Sequence, residues 1–480
     1  MGLKSGRRGS ESRFSAYVEA LSSALGHADR AVPFHSYCAG LLLPGDRKSV
    51  EPMAARVQPG RVQAAHQSLH HFVAKSDWSD DTVLAAVRAR VLPLIAKRGP
   101  IRALIIDDTG MPKKGRHSVG VARQYCGQLG KQDNCQVAVS LSAANDHASL
   151  PIAYRLYLPR DWADDPERRA AAGVPDEIVF QTKPQIALDQ LRAAVTAGVQ
   201  AETVLADAGY GNDTDFRDAI TELGLPYVVG ITSATSLWPP GKEPLPPKPW
   251  RGQGRPTSAI RRDAAHQPVS ARQMAMALPK SAWRQVTWRE GSNTKLTSRF
   301  AAVRVRPAHR DYQRSTARPE EWCLIEWSAG EAEPTKYWLS TLPASISKSA
   351  LVNTAKLRWR IERDYQDLKQ ELGLGHYEGR GWRGFHHHAT LCIAAYGFLI
   401  SEREAIPPSG PRNALLGKEH PLPAGYRPRG SPDPAGTARP DLHPNRPKTS
   451  HRRSGDAAST MSMLYKSNEH NTSGPQFMTQ

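Results

Sequence analysis

The first hundred residues carry apolar positions at the spacing of amphipathic helices. Leu21 follows Tyr17 by four positions and Val18 by three, which places the three residues on one helical face. Ser79 is a good N-cap for the last of these helical stretches. We therefore predict a helical region over residues 1–98. Further stretches with helical spacing cover about 33–43, 61–73 and 79–92.

From about residue 99 the pattern changes to short apolar runs typical of strands. Two amphipathic helical stretches, 183–197 and 215–223, separate the later runs. The resulting order β-β-β-α-β-α-β over residues 99–232 resembles the ribonuclease H-like fold, an α/β sheet whose first three strands form an antiparallel meander. The apolar runs cover 102–108, 136–144, 150–158, 204–207 and 227–231.

The rest of the chain divides into three parts. Residues 233–345 begin with a Pro/Gly-rich basic stretch and continue with strand-like pieces, which predicts a β-rich insertion in the α/β core. Residues 346–404 return to helical spacing and complete the core. Residues 405–480 are rich in Pro, Gly, Arg and Ser, so they cannot bury enough apolar surface to order the chain, and we predict a disordered tail.

Composition points to a polyanionic partner. Lys plus Arg number 64 against 46 Asp plus Glu, which gives a net charge of +18 and favours nucleic acid, because neutralised phosphates release counterions.

The longest apolar run, Leu391 to Ile400, is shorter than the ~20 residues of a membrane span. The N-terminus lacks the apolar stretch of a secretory signal. Five widely spaced cysteines without a CxxC pair are typical of a reducing cytoplasm, so we expect a cytoplasmic protein.

Two aspartates end apolar strands that the ribonuclease H-like order makes neighbours. Asp108 lies in IIDDTG and Asp207 in TVLADAGYG. The residue before Asp108 is also an aspartate, Asp107, and successive strand side chains point to opposite faces. Only one of this adjacent pair can therefore face a site shared with Asp207, and the spacing alone leaves the choice open.

A third acidic residue, Glu362, lies in the helical run KLRWRIERDYQDLKQELGL. Arg358, Gln366 and Lys369 are at offsets of −4, +4 and +7 from it, which predicts one shared helical face. Carboxylates are the hard oxygen ligands that divalent metals need to cleave a phosphodiester. Arginine and lysine next to them can hold phosphates.

These residues as a set resemble those of bacterial insertion-sequence transposases of the DDE type, in the branch with Tyr-x2-Arg-x3-Glu-x6-Lys. Arg358, Glu362 and Lys369 fit that spacing, whereas the tyrosine position is Ala355. The family's first aspartate, which precedes a threonine, corresponds to Asp108 of DDT. Its second aspartate corresponds to Asp207 of LADAGYG.

The resemblance implies a magnesium-dependent enzyme that cuts DNA strands and transfers them to a target. Asp108, Asp207 and Glu362 would be the catalytic residues and would coordinate two Mg²⁺ ions, with Mn²⁺ as a substitute. One ion activates water or a DNA 3′-hydroxyl, and the other stabilises the leaving oxygen.

DNA contacts are expected from basic residues near this trio. The resemblance implies that Arg358 and Lys369 hold phosphates, and the KKGRH run after Asp108 adds Lys113 and Lys114. The partners would be double-stranded DNA of the element ends and of the target, bound by a homodimer. The expected location is the bacterial cytoplasm, in association with the nucleoid.

Two other functions fit the same residues. One is a nuclease of the ribonuclease H-like fold that cuts DNA without strand transfer. The other is an inactive DNA-binding protein derived from a transposase. All three carboxylates are present, which argues against inactivation.

Overall fold

The computed structural model describes residues 2–253, 255, 257–290 and 295–405 of the 480-residue chain. The tail predicted at 405–480 lies outside the described residues, apart from Ala405, which ends a helix. Across the described ranges no helix has both the length and the apolarity that a membrane span requires.

The N-terminal part is helical, as the apolar spacing predicts. Its buried side chains share one hydrophobic core with the last helix of the structure, and the Tyr17 hydroxyl donates to the Ala394 carbonyl oxygen at 2.9 Å. The Ser79 hydroxyl accepts a hydrogen bond from the Thr82 backbone N–H, which confirms it as an N-cap. The helices are α1 (Gly2–Ser22), α2 (Ala31–Leu42), α3 (Val50–Val57), α4 (Val62–Ala74) and α5 (Asp80–Ala96).

The central part is the α/β core. Its strands are β1 (Ala103–Pro112), β2 (Ala122–Cys126), β3 (Lys131–Ala144), β4 (Ser149–Leu156), β5 (Thr203–Ala206) and β6 (Tyr227–Ile231). β1 pairs antiparallel with β3 and parallel with β5. The order β4-β3-β1-β5-β6 confirms the predicted ribonuclease H-like sheet. The helices of this part are α6 (Arg160–Ala163), α7 (Pro166–Ala172), α8 (Lys183–Thr196), α9 (Ala208–Gly211) and α10 (Thr214–Glu222).

Some elements of the core were not predicted. Strand β2 forms a hairpin with the first half of β3, and its sequence ARQYC is too polar to resemble a strand. Helix α7 occupies a charged stretch, PERRAAA, in which the apolar pattern predicts no element. Asp165 caps α7 by accepting from the Arg168 backbone N–H, and Gly173 ends it in the left-handed conformation, so these two local signals were present in the sequence.

The insertion extends the sheet of the core. Within the described residues twelve strands form one sheet, in which the order β6-β12-β11-β10 continues directly from the core. The insertion contains strands, as predicted, and they add backbone hydrogen bonds to the edge at β6. Its elements are β7 (Ser236–Trp238), β8 (Val269–Ser270), α11 (Ala271–Ala277), β9 (Arg284–Glu290), β10 (Lys295–Pro307), β11 (Glu321–Trp327) and β12 (Lys336–Ser340).

The last three helices cover the two faces of the sheet. They are α12 (Lys348–Lys356), α13 (Trp359–Gln366) and α14 (Trp382–Ala405). On one face Ile105, Leu205 and Val228 pack with Leu351 and Ile361, which belong to α12 and α13. The alternate strand positions, including Leu104 and Ile106, pack on the other face with α8 and α14. Side-chain alternation along β1 therefore decides which layer of helices each residue meets.

Helix α9 approaches β6 very closely, and this gives the first testable prediction. A Cβ on Gly211 would overlap the Gly230 carbonyl oxygen and lie 2.8 Å from the Val229 Cβ. Gly211→Ala should therefore lower the free energy of unfolding by about 1–3 kcal/mol, as overpacking does. Urea unfolding followed by circular dichroism measures it.

Gly60→Ala is the matched control, because no atom lies within 4 Å of a Cβ built there. It should leave the unfolding midpoint nearly unchanged. Equal midpoints for the two variants would show that α9 can move away from β6 at no cost.

Candidate active site

Strand alternation and register put Asp107 and Asp207 on the same face of the sheet. Ile105 pairs with Leu205 in the parallel β1–β5 ladder, and both side chains belong to the cluster under α12 and α13. Each aspartate lies two residues beyond one member of this pair. Because side chains two residues apart share a face, Asp107 and Asp207 lie on the side of the sheet where α13 carries Glu362.

Arg358 joins β1 to the helix that carries Glu362. Its Nη1 donates to Asp107 Oδ2 at 2.8 Å and its Nη2 donates to Glu362 Oε1 at 2.7 Å. Burial alone would lower the pKa of Arg358, but the carboxylates of Asp107, Glu362 and Asp207 raise it above its ordinary value. The guanidinium is thus a fixed positive charge among three carboxylates.

Asp107 is the most perturbed carboxylate of the group. Burial raises its pKa to about 7, Arg358 opposes the rise, and the negative charges of Asp207 and Asp108 add to it. Such crowding of like charges is typical of carboxylates that share a cation or a proton. Burial is thus the main cause of the raised pKa of Asp107, and the neighbouring carboxylates add to it.

Asp108 faces the opposite layer of helices. Its Oδ2 accepts from Lys183 Nζ at 2.9 Å and lies 3.5 Å from the Tyr210 hydroxyl. Lys183 is the first residue of α8, on the side of the sheet away from α13. The sequence-based choice of Asp108 as a metal ligand stays a prediction, and the structure pairs this residue with a lysine that the sequence did not single out.

Asp207 is held by the local structure that follows β5. It is the N-cap of α9, and its Oδ1 accepts from the Gly209 backbone N–H at 2.9 Å. Glu362 lies in the first turn of α13, where a negative charge is favourable. Its side chain is 58% exposed, so one oxygen can bind a ligand while the other contacts Arg358.

Lys369 reaches β1 from a wide helical turn. Helix α13 ends at Gln366 and continues as a π-helical turn over Asp367–Glu371, so the regular spacing assumed for Lys369 does not hold. Its Nζ donates to the Gly110 carbonyl oxygen at 2.7 Å, three residues beyond Asp107. Burial lowers the pKa of Lys369. The structure thus brings Lys369 to the strand that carries the aspartates.

Lys113 and Lys114 lie further along the same direction, where β1 has ended. Lys113 Nζ donates to the Tyr377 carbonyl oxygen at 2.7 Å. Both lysines line a cavity of about 490 Å³ with Arg47 and His376. The predicted DNA-binding residues therefore fall into two places, one beside the carboxylates and one beyond the end of β1.

A buried carboxylate holds α13 against the core. Asp364, two residues after Glu362, accepts from the hydroxyls of Ser142 at 2.9 Å, Ser149 at 2.5 Å and Tyr396 at 3.1 Å. These donors belong to β3, β4 and α14, so one side chain ties α13 to three elements. The sequence pattern does not distinguish Asp364, because a lone aspartate in a polar helix gives no signal of burial.

The carboxylate face fits a divalent cation in its donor chemistry. Asp107, Asp207 and Glu362 offer the hard oxygen ligands that Mg²⁺ prefers, and Asp107 lies close enough to Asp207 and Asp108 for their negative charges to act on it. Among the described residues, no group of three or more Asp, Glu, His or Cys side chains has the arrangement needed to hold a metal ion. Arg358 lies between Asp107 and Glu362 and forms an ion pair with each of them.

The chain is similar in sequence to endonucleases of one superfamily and to an insertion-sequence transposase. The family model described as "DDE superfamily endonuclease" matches residues 20–295, more than half of the chain. A relative from Microchaete diplosiphon, "Probable transposase for insertion sequence element IS701", is 38% identical over 168 residues, which are 35% of this chain and 41% of the relative. The aligned part thus spans less than half of the relative's length. The family match includes Asp107, Asp108 and Asp207 and ends before Glu362.

Asp364 generates a prediction about stability and pH. Burial raises its pKa to about 6 from an ordinary 3.8, although its three hydroxyl partners lower it. Between these values the folded protein holds a proton that the unfolded chain has lost, so this residue makes the free energy of unfolding fall as pH rises. Asp364→Asn should remove that fall, which urea unfolding at several pH values between 3.8 and about 6 measures.

Asp161→Asn, at an exposed position of α6, is the control and should follow the wild type across the same range. If Asp364→Asn and the wild type lose stability in parallel, Asp364 does not titrate in this range.

Proposed function

This chain belongs to the DDE superfamily of endonucleases, and we propose that it is a DNA transposase that cuts the ends of an insertion sequence and joins them to target DNA. The similarity to a probable insertion-sequence transposase supports an insertion sequence as the DNA that is moved. The observation that carries the proposal is the contact of Arg358 with Asp107, 251 residues away, and with Glu362. It joins Asp107 to the glutamate of the resemblance; β1 runs on to Pro112, so Asp107 and Asp108 lie within the strand and not at its end, where the apolar run predicted them.

We further propose that Asp107, Asp207 and Glu362 hold the divalent cations. Endonucleases of this superfamily use divalent metals, and two Mg²⁺ ions, or Mn²⁺, would activate the attacking water or 3′-hydroxyl and stabilise the leaving oxygen. Two observations support Asp107 in place of Asp108. Asp107 lies on the face of the sheet that α13, the helix of Glu362, covers. Asp108 lies on the other face, where it forms an ion pair with Lys183.

The basic residues around the carboxylates would bind and orient the DNA. Arg358 has a planar, forked group that can turn from Asp107 to a phosphate and bind it through two donors. Lys369 lies beside Gly110 and would neutralise the next phosphate as a point charge. Because two element ends are cut and joined together, we propose that two copies of the chain act as a homodimer on DNA.

The choice between the two aspartates generates the central prediction of this function. Asp107→Asn, Asp207→Asn and Glu362→Gln should each slow nicking by roughly 10³-fold or more, since metal ligation supplies several kcal/mol of transition-state stabilisation. Asp108→Asn should stay within about tenfold of the wild type. The measurement is Mg²⁺-dependent nicking of a plasmid that carries the inverted repeats flanking the gene.

Each variant is first checked for a wild-type melting curve and for retained binding of the same plasmid. Loss of nicking in Asp108→Asn with activity retained in Asp107→Asn would restore the sequence-based assignment. Nicked but unjoined products from the wild type would instead indicate a nuclease without strand transfer. A complete lack of metal-dependent nicking would favour a DNA-binding protein without activity.

A further inference from the structure

A basic notch lies beyond the end of β1, where the N-terminal helices meet the core. We use this name for the cavity of about 490 Å³ bordered by Arg47, Lys113, Lys114 and His376. Arg47 comes from the connection between α2 and α3, the lysines follow β1, and His376 follows the π-helical turn after α13. Three separate parts of the chain thus contribute positive or proton-donating groups to one space.

The notch has more positive than negative charge. Glu378 is the one acidic residue among the described residues that line it, and Arg47 already pairs with it. Burial lowers the pKa of Lys113. Burial also lowers the pKa of His376, and the nearby charges of Arg47 and Lys48 lower it further. A bound anion would relieve this crowding of cations.

Hydrogen bonds hold the groups of the notch in position. The Arg56 Nη2 donates to the Arg47 carbonyl oxygen at 2.7 Å, and Lys113 Nζ is fixed on the Tyr377 carbonyl oxygen. His376 Nδ1 accepts from the Lys48 backbone N–H at 3.1 Å. The neutral imidazole therefore carries its proton on Nε2, as a donor suited to a phosphate oxygen.

The notch is separated from the carboxylates by the end of β1. Lys113 follows Asp107 by six residue steps (113 − 107), and at ~3.3 Å per step along a strand this is ~20 Å. Lys369, which contacts Gly110, lies between the two places. One phosphate occurs every 3.4 Å of axis along each DNA strand, so ~20 Å corresponds to about six base pairs. A duplex cut at the carboxylates can therefore reach the notch.

We propose that the basic notch is a second phosphate-binding site, which takes backbone phosphates of the same duplex about six base pairs from the cleaved bond. The site rests on the proposed function, since it needs a DNA duplex at the carboxylates. Arg47 exchanges its partner Glu378 for a phosphate when DNA binds, and Lys114 and His376 complete the contact. Binding there links the N-terminal helices to the catalytic core through the DNA backbone.

Salt dependence of DNA binding tests this site without any catalytic step. The probe is a fluorescent duplex of about 30 base pairs, bound by the full chain at salt concentrations from about 50 to about 200 mM. Arg47→Gln with Lys114→Gln should weaken binding and lower the slope of log K against log salt by about 1.8, because each phosphate contact contributes about 0.9. The matched control is Lys97→Gln with Lys280→Gln, two exposed lysines outside the notch.

Glu378→Gln provides a test with the opposite sign. It removes the negative charge that competes for Arg47, so the duplex should bind more tightly and the slope should become steeper by up to about 0.9. Improved binding cannot come from damage to the fold. Thermal melting of every variant checks that it remains folded.

The binding measurements distinguish a failure of the proposed phosphate site in the notch from a failure of the proposed function. If the wild type binds no duplex, the proposed function fails. If the wild type binds but the notch pair keeps the slope of the control pair, the notch alone is overturned. Weaker or unchanged binding by Glu378→Gln would also overturn it, because Arg47 would then not exchange Glu378 for DNA.

Discussion

The contact of Arg358 with Asp107 and Glu362 is the interaction on which the site depends. Several carboxylates on one face of a sheet repel one another, and at ~4 Å such a repulsion is worth ~4 kcal/mol near a protein surface. Arg358 offsets this repulsion, since it donates to a carboxylate on β1 and to one on α13. It also fixes the distance between the strand and the helix. Arg358 thus holds, among these carboxylates, the place that we propose for a cation.

The insertion, whose strand β12 pairs with β6 at the edge of the core sheet, stabilises this arrangement. Its strands continue the hydrogen bonds of the core from β6 through β12 and β11. Lys356, the last residue of α12, bonds to the buried Glu326 of β11 at 2.6 Å and lies 4.2 Å from the Trp288 ring centroid. Because Arg358 follows two residues later, this buried pair fixes the start of the helix that carries Glu362. The insertion thus belongs to the structure that positions the site.

Local patterns in the sequence were sufficient for much of the fold. Apolar runs and capping residues identified the strands and helices of the core, and the order of these elements identified the ribonuclease H-like sheet. The facing direction of Asp107 and Asp108 could not be decided in this way. It depends on which alternate positions of β1 lie under α13, and that is set by pairing with β5 and by packing against a helix some 250 residues later.

Other features of the site also arise from long-range packing. Lys183 meets Asp108 because α8 crosses the opposite face of the sheet, and Arg47 meets His376 because the N-terminal helices pack on the core. The π-helical turn before Lys369 interrupts the regular spacing that the sequence suggested. Each of these pairs is distant in sequence or depends on an irregular turn, so no single motif contains it.

The affinity of the protein for Mn²⁺ without DNA tests the role of Arg358 most directly. Electron paramagnetic resonance of free Mn²⁺ can compare the wild type with Arg358→Ala, and with Arg192→Ala on the α8 surface as the control. Removal of a cation from among the carboxylates should tighten Mn²⁺ binding by about fivefold or more, because like charges a few ångström apart cost at least ~1 kcal/mol. Equal or weaker binding by Arg358→Ala would contradict the account, since Arg358 would then not occupy the place of the metal.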